Sequence, residues 1–240
     1  MLAVMLFIHE VHQVVGKRER ELETAYRDEW MPRLANNDDA RLLFFCHQAH
    51  GTGPAYRVVT LTAVADGAAY GRLVERVQTG DLHTVAAEID QYRYDVTGTM
   101  LITVPWAPAL VSDLVDVPTD GGEHGLSVYM EDTARPHPGM VDAYIEAARE
   151  HYAPSLAEQR HGGRSILTLE TVMQTAWGAG ARRAITLWQK VSDPRHLGRL
   201  IASEVPDEFR APGMWMHDAL AVRDDWTSRL LRTAPWSPLY

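Results

Sequence analysis

Four side chains, His9, His47, Glu131 and Glu170, are the residues of this chain best suited to moving protons. Histidine titrates close to neutral pH and can take or give a proton there. A carboxylic acid in apolar surroundings has its pKa raised, because burial penalises the charged form, and can serve as acid or base near neutrality. Lys190 and Arg232 could steady an enolate or hold a substrate carboxylate beside them. Phe7, Phe45, Tyr129 and Trp188 would line the same space as a substrate-binding surface. Such a set suits proton shuffling on a small apolar carbonyl, phenol or epoxide. The competing reading is structural: Glu131–Lys190 and Glu170–Arg232 as ion pairs across neighbouring strands. Buried charges tend to be paired whatever their role, and a single histidine is more often a satisfied core residue.

Other chemistries find less support. His9 and His12, like His47 and His50, stand three apart, which on a strand puts the two on opposite faces. Two histidines and two glutamates on facing sheets could bind iron, zinc or manganese. No compact ligand motif such as H-E-x-x-H occurs, so no metal is expected. Haem is the other cofactor to weigh, with His196 or His217 as its proximal ligand. Cys46 has the parity opposite to His47 and reads as a small hydrophobe under a helix. Gly51-Thr-Gly53 and Gly178-Ala-Gly180 read as hairpin turns with no phosphate-binding helix after them, and no dinucleotide fingerprint is present. Trp106 and Trp236 read as packing residues, and Met214-Trp215-Met216-His217 as a buried helix face rather than a lid.

Composition bounds the rest. The 240 residues are 46% hydrophobic and 23% charged, with a net charge of −9. That is a core-forming composition, and its sign is wrong for nucleic acid or an anionic membrane. No apolar run approaches the roughly 18–20 residues of a membrane span. Met1–Ile8 lacks a basic leader and reads as a strand rather than a signal peptide. One cysteine cannot form an internal disulfide, so a reducing, cytoplasmic setting is the expectation.

The elements that position these residues occur twice. Pro105-Trp106-Ala-Pro108 recurs 130 positions later as Pro235-Trp236-Ser-Pro238. Thr60-Leu61, Asp66 and Gly71-Arg72-Leu73 recur at 126 to 127 as Thr186-Leu187, Asp193 and Gly198-Arg199-Leu200. Trp30-Met-Pro32-Arg-Leu34-Ala35 matches Tyr152-Ala-Pro154-Ser-Leu156-Ala157 at 122. The matches are collinear, as a tandem duplication with a few loop insertions would leave them. The expected organisation is a first repeat over 1–115, a linker over 116–124 rich in turn formers, and a second repeat over 125–240.

Each half reads strand, amphipathic helix, two strands around a glycine turn, a second helical region, and a closing strand. The expected first-half elements are 3–14, 17–35, 41–48, 56–65, 67–92 and 97–105. Those of the second half are 125–133, 138–160, 164–175, 182–191, 194–222 and 227–234. Leu22, Tyr26, Trp30 and Leu34 recur every fourth residue, as do Tyr144, Ala148, Tyr152 and Leu156, and Pro32 and Pro154 should kink or break the last turn. That order is βαββαβ, the ferredoxin-like split unit. Such a unit covers one sheet face with helices and leaves the other bare. A second copy could cover it and enclose a small-molecule cavity.

In this duplicated order, in Gly16-Lys17 before the first helix, and in Tyr26 and Trp30-Met-Pro32 at its end, the chain resembles tandem members of the dimeric α+β barrel superfamily, in particular NIPSNAP-like proteins. The resemblance implies an α+β fold: two ferredoxin-like halves forming an intramolecular dimeric α+β barrel. It implies a range of functions, from cofactor-free monooxygenases, muconolactone-type isomerases and polyketide cyclases to haem enzymes and proteins of no established activity. Strand parity then assigns the interior. Val128, Met130, Leu167, Leu169, Ile185 and Leu187 face the helices. Tyr129, Glu131, Thr168, Glu170, Trp188, Lys190 and Arg232 take the other side. The duplication maps Glu131 onto His9 and Glu170 onto His47, with Phe7, Phe45, Thr60, Thr62 and Ile102 sharing that face. The expected function is a small-molecule enzyme, an isomerase, cyclase or lyase of a hydrophobic oxygenated metabolite, working by side-chain acid–base chemistry without a redox cofactor and able to pair as a homodimer. A cofactor-independent monooxygenase of phenols and a non-catalytic NIPSNAP-like binding protein are the alternatives.

Overall fold

The computed structural model describes residues 4–161, 166–176, 182–198 and 207–240. Among the described residues it is a mixed α+β structure with eight strands, paired antiparallel within each unit. Contacts divide the chain into two compact units: Met1–Ile102 with Val111–Ser127 and Leu231–Tyr240, and Thr103–Leu110 with Val128–Leu230.

Unit one runs β1 (Leu6–Val14), α1 (Glu19–Thr24), a π-helical turn (Ala25–Trp30), α2 (Met31–Leu34), β2 (Ala40–Gln48), β3 (Arg57–Val64), α3 (Gly67–Gln78), α4 (His83–Ile89) and β4 (Arg93–Thr103). β1 lies between β3 and β4, and β2 lies beyond β3. Leu231–Thr233 pairs with the far edge of β2. Unit two repeats the order with β5 (Val128–Pro136), α5 (Val141–Ala147), a second π turn (Ala148–Tyr152), α6 (Ala153–His161), β6 (Leu167–Thr175), β7 (Ile185–Val191) and β8 (Arg223–Thr233). β7 lies between β5 and β6. Val104 N donates to Val172 O at 3.0 Å on the outer edge of β6.

The paired π turns follow from the spacing of the apolar residues. A strict repeat of four overshoots the 3.6-residue α turn at each step. One wider i→i+5 turn absorbs the excess and keeps Leu22, Tyr26 and Leu34 buried on one seam. Pro32 and Pro154 do not break these helices. Each falls directly after a π turn and early in the next α segment, where its missing N–H costs least. Asp66 caps α3 by accepting from Ala69 N at 2.8 Å, and Asp193 does the same for Arg195 N at 2.9 Å. The Gly51–Gly53 connection is a turn, with Gly51 at φ +80 where a side chain would be strained. Gly178–Gly180 lies outside the described residues.

A bulge in β2 rearranges the expected faces of that strand. Thr62 pairs with Leu42 and Leu61 with Phe44, so Leu43 is an inserted residue in β2. Beyond that bulge every side chain of β2 changes sides. Phe45 therefore joins the core beneath the helices with Leu22, Tyr26, Val58 and Trp236, its ring 5.2 Å from Tyr26 and 4.9 Å from Trp236. Phe44 and Cys46 take the opposite face, so the placement of Cys46 under a helix is corrected. Thr60 is opposite Glu10 and Thr62 opposite Ile8, on the helix face, not with Phe7 and His9 as parity had suggested. Phe45→Ala should cost about 3–5 kcal/mol in denaturant unfolding. A cost below about 1 kcal/mol would put Phe45 outside this core.

Candidate functional site

His9 lies opposite Leu61 and Thr99, and Phe7 opposite Ala63 and Leu101, on the face away from the helices. His47 lies on the helix face, the consequence of the bulge at Leu43. Its Nδ1 is 3.0 Å from Glu19 Oε1 and its Nε2 is 3.3 Å from Glu23 Oε2. Glu23 also accepts from Trp236 Nε1 at 2.8 Å. His47 and Trp236 hold the Glu23 carboxyl below its usual range. His47 thus fastens α1 to the sheet, and the expected His9–His47 pair is not formed. Arg232, opposite His47, is exposed.

In unit two the expected faces are largely met. Glu131, Trp188, Tyr129, Lys190 and Thr168 share the face away from the helices, with the Tyr129 and Trp188 rings 5.7 Å apart. Glu131 is buried and accepts from Arg229 Nη1 at 3.0 Å in an ion pair. Glu170 is the inserted residue of a second bulge, between Leu169 and Thr171. Its counterpart in β2 is Leu43, not His47.

The richest buried polar chemistry lies on the helix faces. In unit one Arg93 Nη1 approaches His12 Nδ1 at 2.6 Å, and His12 Nε2 lies 3.0 Å from Thr60 Oγ1. Arginine can only donate, so Nδ1 accepts and the ring proton sits on Nε2, donating to Thr60. Burial, with Arg93 beside it, pushes His12 down to about 3. The Glu10 carboxyl next to Thr60 is held above its usual range, chiefly by burial, with Arg93 and the Thr60 hydrogen bond opposing. Burial also pushes the Tyr26 phenol up.

Unit two has the counterpart at the offset of 122 that relates the first helices: Asp132 for Glu10. Asp132 Oδ1 accepts from Ser228 Oγ at 2.6 Å and Oδ2 from Gln189 Nε2 at 2.9 Å. The π-turn Tyr152 hydroxyl donates to Gln189 Oε1. Burial raises Asp132 to about 6, against hydrogen bonds from Ser228, Gln189 and Trp226 and the charge of Arg223. Arg223 stands 130 positions after Arg93, the offset of the Pro-Trp-x-Pro motifs. Tyr144, Tyr152 and Trp215 pack beside this group, Trp215 lying 5.6 Å from Tyr144 and 5.2 Å from Tyr152. Trp215 is half-buried against this core, but Met214, Met216 and His217 are exposed, so the expected buried helix face is not formed. Both Ser228 and Trp226, which bond Asp132, are exposed, so the carboxyl lies one side chain from solvent. A surface groove of about 460 Å³ lies elsewhere, at His137–Gly139 and Arg182–Arg183. It is shallow, and Arg182 is already bonded to two backbone carbonyls there, so the chemistry is better placed at Asp132.

A haem would need a buried axial ligand. His217 is half exposed and its Nδ1 meets Asp218 Oδ1 at 2.8 Å, so it does not fit as a buried axial ligand. The side chain of His196 lies outside the described residues. Among the described residues no group of three His, Cys, Asp or Glu could hold a metal ion, and no helix is long and apolar enough to cross a membrane.

No family model and no curated protein matches the chain. Solved structures do. A provisionally named monooxygenase from Fusobacterium nucleatum is 10% identical, covers 97% of this chain and 94% of its own, and superposes with a TM-score of 0.63. An anthrone oxidase-like protein is 9% identical over 96% of this chain and 91% of its own, with a TM-score of 0.59. A variant of Rhodococcus jostii DypB in complex with heme is 8% identical over 97% of this chain and 93% of its own, with a TM-score of 0.52. The likeness is one of fold: this chain is an α+β protein of the dimeric α+β barrel class, as its duplicated βαββαβ order implied. Identities this low carry no activity across.

Proposed function

We propose that the protein is a small-molecule enzyme whose proton-transfer group is Asp132. The observation that carries this reading is a buried carboxyl, bonded at both oxygens yet raised to about 6, one side chain from solvent. Such a group is half-protonated near pH 6, so both of its forms are populated close to neutrality, and it can take a proton from carbon or return one to oxygen. Aromatic neighbours Tyr144, Tyr152 and Trp215 favour a hydrophobic oxygenated substrate, and the reaction class is that of an isomerase, cyclase or lyase. A single cysteine, the buried Cys46, suits a cytoplasmic setting. The names of the fold neighbours favour a second reading, oxygen insertion into an electron-rich phenol without a bound cofactor. A purely binding role is the third.

Hydrogen–deuterium exchange at enolisable carbons, followed by proton NMR over a panel of cyclic ketones and anthrone, separates them. Catalysed exchange with an inflection near pH 6, reduced about 100-fold or more in Asp132→Asn, is the expected result. Oxygen uptake with anthrone, unaffected by Asp132→Asn, would establish the second reading instead. No exchange and no uptake, with retained binding, would establish the third.

A further inference from the structure

We propose that unit two binds a ligand through an oxyanion, a carboxylate, phenolate or enolate oxygen, and that Arg223 is the residue that holds it. The proposal rests on the Asp132 cluster being the ligand site and names the chemical class it accepts. Its basis is an asymmetry between two arginines at equivalent positions. In unit one Arg93 is spent: Nη1 goes to His12, while Nε and Nη2 reach Asp90 Oδ1 at 3.0 and 2.6 Å. In unit two Arg223 is 9% exposed, and its Nε has no hydrogen-bond partner among the described residues. A buried donor without an acceptor is costly and seldom kept without a use. Its guanidinium lies over Trp226, 5.2 Å from the ring centroid, hydrogen-bonds the Tyr144 side chain, and its charge acts on Asp132, which leaves Nε as the donor still to be used. Trp226 is 42% exposed, so the arginine lies directly beneath a solvent-facing ring.

The chemistry fits the pairing. A proton acceptor next to a fixed cation lets the charge that develops on a substrate oxygen meet Arg223 as Asp132 takes the proton from carbon. An arginine prefers planar anions and can meet them with two parallel N–H groups. Unit one, with its arginine already engaged, has no such donor to offer.

The test compares 2-naphthoate with its neutral isostere 2-naphthamide in the full chain, binding followed by calorimetry and by the nitrogen-15 resonance of the Arg223 Nε–H. Naphthoate should bind at least 10-fold tighter and shift that resonance. Arg223→Gln should abolish the preference, weakening naphthoate at least 10-fold more than naphthamide. Arg232→Gln, which removes an exposed cation, should leave the preference intact. Should Arg223→Gln fold poorly, Arg223→Lys reads the same point, with an intermediate loss. Equal affinity for the two probes, no binding of either, an unmoved Nε–H, or a preference that survives both Arg223 variants would overturn the proposal. Loss of the preference in Arg223→Gln, with exchange untouched by Asp132→Asn, would sink the proton-transfer reading and leave the oxyanion site standing. The converse pattern would do the opposite.

Discussion

Acidification from pH 6.5 towards pH 3 should destabilise unit one by about 1.4 kcal/mol per pH unit through His12 alone, some 5 kcal/mol in all. Folded His12 stays neutral down to about 3, because it is buried and Arg93 sits against it. An unfolded histidine accepts its proton near 6.5. Between those limits the unfolded chain binds a proton that the folded chain refuses, so stability rises with pH across the window and is constant above it. Glu10 works the other way. Its raised carboxyl keeps a proton that the unfolded chain releases, so its contribution falls as pH rises above about 4.5. His12→Gln offers an amide N–H to Thr60 and an oxygen to Arg93. It should cost about 1–2 kcal/mol at pH 7.5 and flatten the acid slope. Urea melts at pH 4 to 7.5, read from Trp30 and Trp236 in unit one, measure both. An unchanged slope in His12→Gln would mean that His12 is protonated in the folded chain.

In unit two the slope reverses. The folded Asp132 keeps its proton up to about pH 6, whereas an unfolded aspartate loses it near 3.8. The folded state therefore binds more protons through that interval, and stability falls as pH rises, by about 3 kcal/mol in total. Asp132→Asn removes the charge with little change of shape. The variant should be as stable as the native chain at pH 8 or more so, and should lose the decline between pH 4 and 6. With that decline gone, the acid lability from His12 should stand out in the whole-chain melt. A variant markedly less stable at pH 8 would mean that Asp132 is a satisfied structural carboxylate. It would then have no reason to sit near neutrality.

The repeat was legible because its motifs are made of residues with fixed structural jobs. Pro-Trp-x-Pro ends the closing strand, and the four-residue spacing of Leu22, Tyr26, Trp30 and Leu34 sets a helix seam. Strand faces in β5 and β7 followed from simple alternation, since Tyr129 to Ala134 pairs without interruption with Lys190 to Ile185. Faces in β2 did not, because the insertion at Leu43 sits in a wholly apolar run where periodicity carries no phase. That one residue separated His47 from His9. The Glu10 and Asp132 sites were hidden differently. Alternation places them beneath helices, where charge is unexpected, so residue type alone points to the other face. The offsets already in hand, 122 for the first strand and helix and 130 for the closing strand, align Glu10 with Asp132 and Arg93 with Arg223. An acid–arginine pair preserved in both copies of a diverged repeat was the available signal.

The central claim is that Asp132 is a proton-transfer group because the fold lifts its carboxyl to neutrality. Carbon-13 NMR of the aspartate side-chain carboxyls, with Asp132 assigned by its loss in Asp132→Asn, tests this directly. The account predicts a titration midpoint near 6, roughly 2 pH units above an ordinary aspartate. A midpoint at or below 4 would contradict it.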